Sequence, residues 1–216
     1  MEQMHWHDYD LICFDFDGVL VDSEALHFAA YKEMCAKRGI SIKWGEREYA
    51  RYALYSADGL RRALLEEFPQ LRAVSWELLY SEKKAIYQEL LQKEVALMPG
   101  VAQLLGELQG LPTCVVTNSF RVQVEQICAQ HPILRTIPKW ITREDYAQPK
   151  PHPESYQMAL RGVKRALGFE DSPRGISALI GAGAEAILVT SMLAPEEIAQ
   201  LPGSFRHIPS FHTILA

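Results

Sequence analysis

Short apolar runs alternate with helix-like stretches along most of this chain, and this alternation is the feature that most constrains its fold. The run Leu11–Phe14 comes first, and a regular alternation of strand-like and helix-like segments begins after Gly100. Such a pattern is typical of a parallel sheet with helices on both faces. The sequence therefore predicts an α/β fold with a doubly wound parallel sheet, which is a Rossmann-like core.

The second half of the chain supplies most of the predicted elements. Apolar, β-branched runs predict buried strands, and amphipathic spacing predicts the helices between them. The predicted strands cover residues 113–116, 140–142, 166–169 and 186–189, and the predicted helices cover 101–109, 122–130, 154–162 and 175–182.

Residues 24–93 interrupt the alternation with a different texture. This segment is rich in Ala, Leu, Glu, Lys, Arg and Tyr at helical spacing, and glycines and Pro69 punctuate it. Ser23, just before it, is a plausible N-cap. We therefore predict a helical domain at 24–93, inserted into an α/β core formed by 1–23 and 94–216.

Composition excludes several classes of function. The chain carries 22 Lys and Arg against 27 Asp and Glu, a net charge of −5, and shows no basic stripe, which argues against a nucleic-acid partner. Its four cysteines lack metal-binding spacing. The N-terminus has no apolar signal core, and the apolar stretch 178–189 is too short to span a bilayer. We expect a reduced, cytoplasmic protein without a membrane partner.

Polar residues stand at the ends of the predicted strands, where ligands bind in open parallel sheets. Several carboxylates at one place need a cation, and an all-oxygen ligand set favours Mg²⁺. A lysine and a hydroxyl/amide cluster offer donors to a dianion such as phosphate. The residues are Asp15, Asp17, Thr117-Asn118-Ser119, Lys150 and Glu170-Asp171-Ser172.

This combination indicates phosphoryl transfer. One aspartate can attack phosphorus and form an aspartyl-phosphate. A second aspartate two residues later lies on the same side of an extended backbone and can donate a proton to the leaving oxygen.

Four motifs resemble those of the haloacid dehalogenase superfamily in order and spacing, over nearly the whole chain. They are Asp15-Phe16-Asp17-Gly18 with its continuation to Glu24, Thr117-Asn118, Lys150-Pro151 and Phe169-Glu170-Asp171-Ser172. Within the superfamily the chain is most similar to the branch of β-phosphoglucomutase and related sugar-phosphate phosphatases, which carry a helical cap after the first motif. The namesake dehalogenases lack the second aspartate, so Asp17 favours phosphate chemistry.

The resemblance implies a role for each matching residue. Asp15 would be the nucleophile and a Mg²⁺ ligand, and Asp17 the general acid/base and a ligand through its backbone carbonyl. Thr117 and the Asn118 backbone would hold the phosphate, and Lys150 would neutralise both phosphate and nucleophile. Asp171 would bind the metal directly, with Glu170 close behind it, directly or through water.

Each motif alone has an ordinary interpretation. Asp-x-Asp-Gly also suits a turn or a calcium loop, although the other acids of a calcium loop are missing. Glu170-Asp171 could simply begin a helix, and a lysine is usually solvated. Because Pro149 and Pro151 flank Lys150, we expect it on a rigid, presented loop. The four motifs together, in order, favour the catalytic interpretation.

The helical segment offers further candidates. His27 resembles a histidine near the hinge between core and cap, although a half-buried helix histidine is an equal alternative. Tyr52, Tyr55 and Ser56 match the stretch that faces the substrate in relatives. The mutase pattern has an arginine there for a second phosphate, but residues 52–60 contain no basic residue. Arg51 and Arg61 flank this gap and are possible substitutes.

We therefore predict a Mg²⁺-dependent phosphatase that hydrolyses a small phosphorylated metabolite, a sugar phosphate or similar, through an aspartyl-phosphate. One alternative is a β-phosphoglucomutase-type phosphomutase. Another is a catalytically idle module that binds a phosphorylated metabolite, which the presence of Asp15, Asp17, Lys150 and Asp171 disfavours.

Overall fold

The computed structural model describes residues 4–56 and 58–215, and the chain divides into two compact units. One unit joins Met1–Asp22 to Val95–Ala216, and the other is Ser23–Glu94. The first contains the sheet and the second is helical.

A six-stranded parallel sheet forms the α/β unit and confirms the predicted fold class. Its strand order is β3-β2-β1-β4-β5-β6, so β1 lies inside the sheet with β2 and β4 as its neighbours. Parallel strands buried on both faces read as continuous apolar runs, which is why β1 and β2 were visible in the sequence. The strands are β1 (Leu11–Phe14), β2 (Thr113–Val116), β3 (Lys139–Ile141), β4 (Ala166–Glu170), β5 (Glu185–Val189) and β6 (Arg206–Ile208).

Both faces of this sheet carry apolar side chains. On one face, Cys13 packs in a cluster with Tyr156 and Ile176 of the covering helices. On the other face, the ring of Phe14 stacks on that of Phe169, with centroids 5.2 Å apart, and Phe211 meets both edge-on. The central strands are thereby excluded from water, and polar groups gather at their carboxyl ends.

Helices of the α/β unit begin close to their predicted positions but differ at several ends. The last of the predicted helices starts at Pro173 and not at residue 175, because Ser172 caps it and Pro173 occupies its first turn. The helix predicted to reach residue 162 stops at Ala159. The predicted helices are α5 (Val101–Glu107), α6 (Arg121–Gln130), α7 (Glu154–Ala159) and α8 (Pro173–Gly181), and a further helix, α9 (Pro195–Ala199), was not predicted.

Within its described residues the helical unit contains four α-helices, and α1 packs against α4. Ser23 occupies the N-cap position of α1, but its backbone is helical and its side chain makes no capping hydrogen bond. Ser75 does cap α4, since its hydroxyl accepts from the Leu78 amide. The helices are α1 (Glu24–Ala36), α2 (Glu46–Tyr55), α3 (Gly59–Glu67) and α4 (Trp76–Leu90).

The chain segments on either side of the helical unit lie next to each other in the α/β unit. The amide of Asp22 donates to the carbonyl of Ala96 at 2.8 Å, and Val21 forms an antiparallel bridge with Leu97. Within the described residues, no helix combines the length and apolar character needed to cross a bilayer.

Candidate active site

Three strands deliver acidic or hydroxyl residues to one edge of the sheet. Asp15 follows β1, Thr117 follows β2, and Glu170 is the last residue of β4, with Asp171 directly after it. The amide of Asp15 donates to the Phe169 carbonyl at 2.9 Å, so strand pairing continues to the first motif. Because the strands are parallel, their carboxyl ends coincide, and residues far apart in sequence meet.

Lys150 lies at the centre of these residues and is only 4% exposed. Its ammonium donates to Asp15 Oδ1 at 2.9 Å, to Glu170 Oε1 at 2.6 Å and to the Val116 carbonyl at 2.7 Å. The expectation of a presented loop is therefore wrong for this side chain, which points inward because two carboxylates attract it. Burial alone would lower the pKa of Lys150, but Asp15 and Glu170 outweigh it and the pKa is raised.

Asp15, Glu170 and Asp171 form a compact carboxylate cluster. Each offers an oxygen, and the three oxygens lie within 4.8 Å of one another. Burial, followed by repulsion from Asp15, raises the pKa of Glu170 despite the nearby Lys150. Glu170 Oε2 is buried without a hydrogen-bond partner, which is costly for a carboxylate oxygen unless a cation occupies the space beside it.

Two glycines allow the chain to approach these carboxylates closely. Gly18 has a φ of +73°, and a Cβ on it would overlap the Asp171 carboxylate. Gly175, in the first turn of α8, lies against Glu170, and a Cβ there would overlap that carboxylate. An oxygen-only donor set held this tightly fits Mg²⁺. Asp15, Glu170 and Asp171 are the side chains that could hold the ion.

Asp17 faces the hydroxyl groups that follow β2 and is not one of the three clustered carboxylates. Ser119 Oγ donates to Asp17 Oδ2 at 2.5 Å, and Thr117 Oγ1 lies 3.4 Å from the same oxygen. The Ser119 amide donates to Thr117 Oγ1 at 2.9 Å and closes the turn. The hydroxyl groups that follow β2 therefore hold the Asp17 carboxylate.

Asn118 is oriented by a tyrosine that the sequence reasoning missed. The Tyr146 hydroxyl lies 2.6 Å from Asn118 Oδ1 and 2.8 Å from the Thr117 carbonyl. Burial raises the pKa of Tyr146 to about 12, so the hydroxyl keeps its proton and donates. The Lys150 amide also points to Asn118 Oδ1, at 3.4 Å. The loop predicted to hold phosphate is thus braced from two sides.

Tyr156 is the second residue that the sequence reasoning missed. It is fully buried on α7, and its hydroxyl lies 2.6 Å from Glu170 Oε1. A tyrosine six residues after Lys150 carries no motif of its own. The sequence could have indicated its role only through its position on the buried face of a predicted helix, because a buried hydroxyl requires a polar partner.

The remaining predicted residues belong to the helical unit. The ring of His27 stacks on Tyr87 with centroids 3.9 Å apart, and its Nδ1 lies 2.5 Å from Lys83 Nζ. The ring of Tyr52 packs against Trp44. Tyr55 ends α2 with 37% of its surface exposed, and Ser56 follows it. Their contacts with a substrate stay predictions.

Comparison with known proteins identifies one family. The model of the haloacid dehalogenase-like hydrolase family matches residues 9–183 of this chain. Protein CbbY of Cereibacter sphaeroides is 29% identical over 94% of this chain and 92% of its own length. A probable pseudouridine-5'-phosphatase of Drosophila melanogaster is also 29% identical, over 82% of this chain and 79% of its own.

A solved structure shares both the fold and part of the sequence. It is a CbbY variant from Rhodobacter sphaeroides in complex with xylulose-(1,5)bisphosphate, 26% identical, with a TM-score of 0.71. The match covers 94% of this chain and 95% of that one.

Proposed function

The chain is an enzyme of the haloacid dehalogenase-like hydrolase family, and from that premise we propose that it is a Mg²⁺-dependent phosphatase of small phosphorylated metabolites. The observation that carries the proposal is the position of Lys150, whose ammonium joins Asp15 to a buried carboxylate. A nucleophilic carboxylate must approach a phosphate dianion, and a fixed ammonium reduces the repulsion between them.

Asp15 is the proposed nucleophile. One of its oxygens, Oδ1, is bound by Lys150, and the other is the proposed attacking atom. Attack on phosphorus forms an aspartyl-phosphate and breaks the bond to the leaving oxygen, to which Asp17 donates a proton. Asp17 then takes a proton from water, which hydrolyses the aspartyl-phosphate. Ser119 orients Asp17 for both steps through its 2.5 Å hydrogen bond.

The phosphate group is held by the loop after β2. Thr117 and the Asn118 backbone are the proposed contacts, and Tyr146 fixes the conformation of this loop. Mg²⁺ bound by Asp15, Glu170 and Asp171, and by the Asp17 carbonyl, would neutralise negative charge on the transferred phosphoryl group. Glu170 can serve as a ligand because its Oε2 has no hydrogen-bond partner.

The names of the relatives support a phosphorylated substrate. One CbbY relative is 29% identical, a CbbY variant that is 26% identical was solved with xylulose-(1,5)bisphosphate, and another relative is named a probable pseudouridine-5'-phosphatase. We propose a substrate with one phosphate, because residues 52–60 of this chain contain no basic residue for a second. Arg61, at the edge of that gap, lies 3.7 Å from Asp58 and over the Trp76 ring.

Phosphate release tests the proposal. The wild type is assayed with Mg²⁺ on a generic aryl phosphate and then on a panel of sugar and polyol phosphates, with Asp15→Asn as the matched control. We expect release by the wild type alone. Equal rates for the two proteins would contradict the proposal. Conversion of a hexose 1-phosphate into its 6-phosphate without phosphate release would favour the phosphomutase.

A further inference from the structure

Tyr156 of α7 places a hydroxyl at the border of the apolar cluster beneath the sheet. The residue is 0% exposed, and its ring packs in the cluster beneath the sheet. Its hydroxyl lies 2.6 Å from Glu170 Oε1 and 3.2 Å from Lys150 Nζ. The ring accounts for packing, but a phenylalanine would pack equally well, so the hydroxyl requires its own explanation.

The Tyr156 hydroxyl donates its proton to Glu170, because the protons of Lys150 are already used. The ammonium of Lys150 has three protons and three shorter contacts, to Glu170, the Val116 carbonyl and Asp15. The 3.2 Å contact from Lys150 Nζ to the Tyr156 hydroxyl must therefore share a proton with one of the three shorter hydrogen bonds. The hydroxyl's own proton is donated to Glu170 Oε1, which consequently accepts from two donors.

The two oxygens of Glu170 are thus unequal. Oε1 is held by Tyr156 and Lys150, whereas Oε2 is buried and has no hydrogen-bond partner. Gly175 lies against this carboxylate on the Oε2 side, since a Cβ there would overlap Oε2, and this limits how far that oxygen can move. A carboxylate held by one oxygen presents the other in a fixed direction.

We propose that Tyr156 is a positioning residue for the cation site: it holds Glu170 by Oε1 and so reserves Oε2 for the cation. This inference rests on the proposed function, which assigns Glu170 to the metal. Without the hydroxyl, Lys150 would be the sole donor to Glu170 Oε1, and the carboxylate would be held less firmly. Cation binding would then have to fix its orientation.

The test is the isosteric variant Tyr156→Phe, with Mg²⁺ affinity measured by calorimetry on the substrate-free protein. We expect the dissociation constant to rise about tenfold, as is usual when a partner of a metal ligand is removed. The Mg²⁺ concentration for half-maximal phosphate release should rise in parallel. The KM for substrate at saturating Mg²⁺ should stay unchanged, because the loop after β2 is intact.

Tyr146→Phe is the matched control, since it also removes one buried tyrosine hydroxyl from the same site. Its hydroxyl braces Asn118 and not Glu170. We expect this variant to raise the KM for substrate and to leave Mg²⁺ affinity as in the wild type. Tyr156→Phe should therefore change the Mg²⁺ affinity and Tyr146→Phe the KM for substrate. A general loss of packing would not separate the two quantities in this way.

A double-mutant cycle with Glu170→Gln shows whether Tyr156 acts through Glu170. In the Glu170→Gln background, Tyr156→Phe should change Mg²⁺ affinity by less than twofold, whereas independent effects would again give about tenfold. Unchanged Mg²⁺ affinity in Tyr156→Phe would overturn the inference, and so would unfolding of that variant, because the hydroxyl is assigned to cation binding. If the wild type binds Mg²⁺ but releases no phosphate, the proposed function fails while the test of Tyr156 stands.

Discussion

The backbone of Gly18 touches the carboxylate of Asp171. Gly18 has a φ of +73°, and a Cβ at this position would overlap Asp171 Oδ2. The two residues are far apart in sequence, one in the loop after β1 and the other after β4. The glycine therefore decides how closely this acid approaches the first motif.

Gly18→Ala should strongly impair catalysis. The methyl group must displace either the loop or Asp171, and a displacement of about 1 Å at a reacting site can cost about 100-fold in rate. We expect kcat/KM for phosphate release to fall by about that factor, measured at several Mg²⁺ concentrations.

Gly162→Ala provides the matched control for this change. Gly162 also has a positive φ, +78°, but a Cβ there would have no neighbour within 4 Å. We expect a loss of about 1 kcal/mol in the free energy of unfolding and unchanged kcat/KM. Equal activity losses in both variants would show that backbone strain, and not contact with Asp171, is responsible.

Asp15→Asn should abolish turnover while preserving the fold. The amide cannot attack phosphorus, and removal of a nucleophile typically costs about 1,000-fold or more in kcat. The exposed Asp8, which lies 3.8 Å from Arg165, offers the control Asp8→Asn, which should keep full activity. Initial rates of phosphate release measure both. Residual activity above a tenth of wild type would rule out Asp15 as the nucleophile.

Lys150→Met should destabilise the protein in metal-free buffer. Removing the ammonium leaves Asp15 and Glu170 without their shared partner, and breaking a buried ion pair costs about 3 kcal/mol. Urea denaturation measures this change in the free energy of unfolding. Adding Glu170→Gln should recover part of the loss, because one of the two unpaired charges is removed.

Lys37→Met is the control for that measurement. Lys37 is exposed and lies 3.8 Å from Glu33, a surface contact worth less than about 1 kcal/mol. A double variant that is no more stable than Lys150→Met would argue against charge pairing as the reason for the buried lysine.

His27 should make the protein less stable at mildly acidic pH. Burial, and then the charge of Lys83, lowers the pKa of His27 well below its ordinary value. In the unfolded chain the pKa of a histidine is about 6.5, so as the pH falls the unfolded chain binds the proton before the folded protein does. The stabilising contribution of the neutral ring is complete above that pH and is lost as the pH falls toward the folded-state pKa.

The measurement is the urea midpoint at pH 7.5 and at pH 5.5. We expect His27→Gln to lose less stability between these conditions than the wild type does. The exposed His7 supplies the control His7→Gln, which should behave like the wild type. An acid-induced loss that is identical in all three proteins would assign the effect to other groups.

The sequence predicts the sheet well because its central strands are buried on both faces. β1, β2 and β4 are continuous apolar runs, and each ends at a polar motif. β6 (Arg206–Ile208) escaped notice because it is short and only Ile208 is buried. Edge strands need little apolar sequence, so periodicity alone does not reveal them.

The sequence also predicts which acids meet, but not how they are held. The parallel topology brings Asp15, Glu170 and Asp171 together wherever the strands end at one edge. The inward turn of Lys150 depends on two carboxylates that are distant in the chain, and so does the hydroxyl contact of Tyr156. Such contacts become visible only when the helices have packed.

The pairing of Asp22 with Ala96 has a consequence for how this chain can vary. The flanking segments are joined by a hydrogen bond and by the Val21–Leu97 bridge. The segment from Ser23 to Glu94 is therefore an insertion whose two ends lie side by side in the α/β unit. The entropic cost of bringing the two ends of such an insertion together grows only slowly with its length. Insertions, deletions or replacement of the whole segment therefore need not disturb the strand ends that carry the acids.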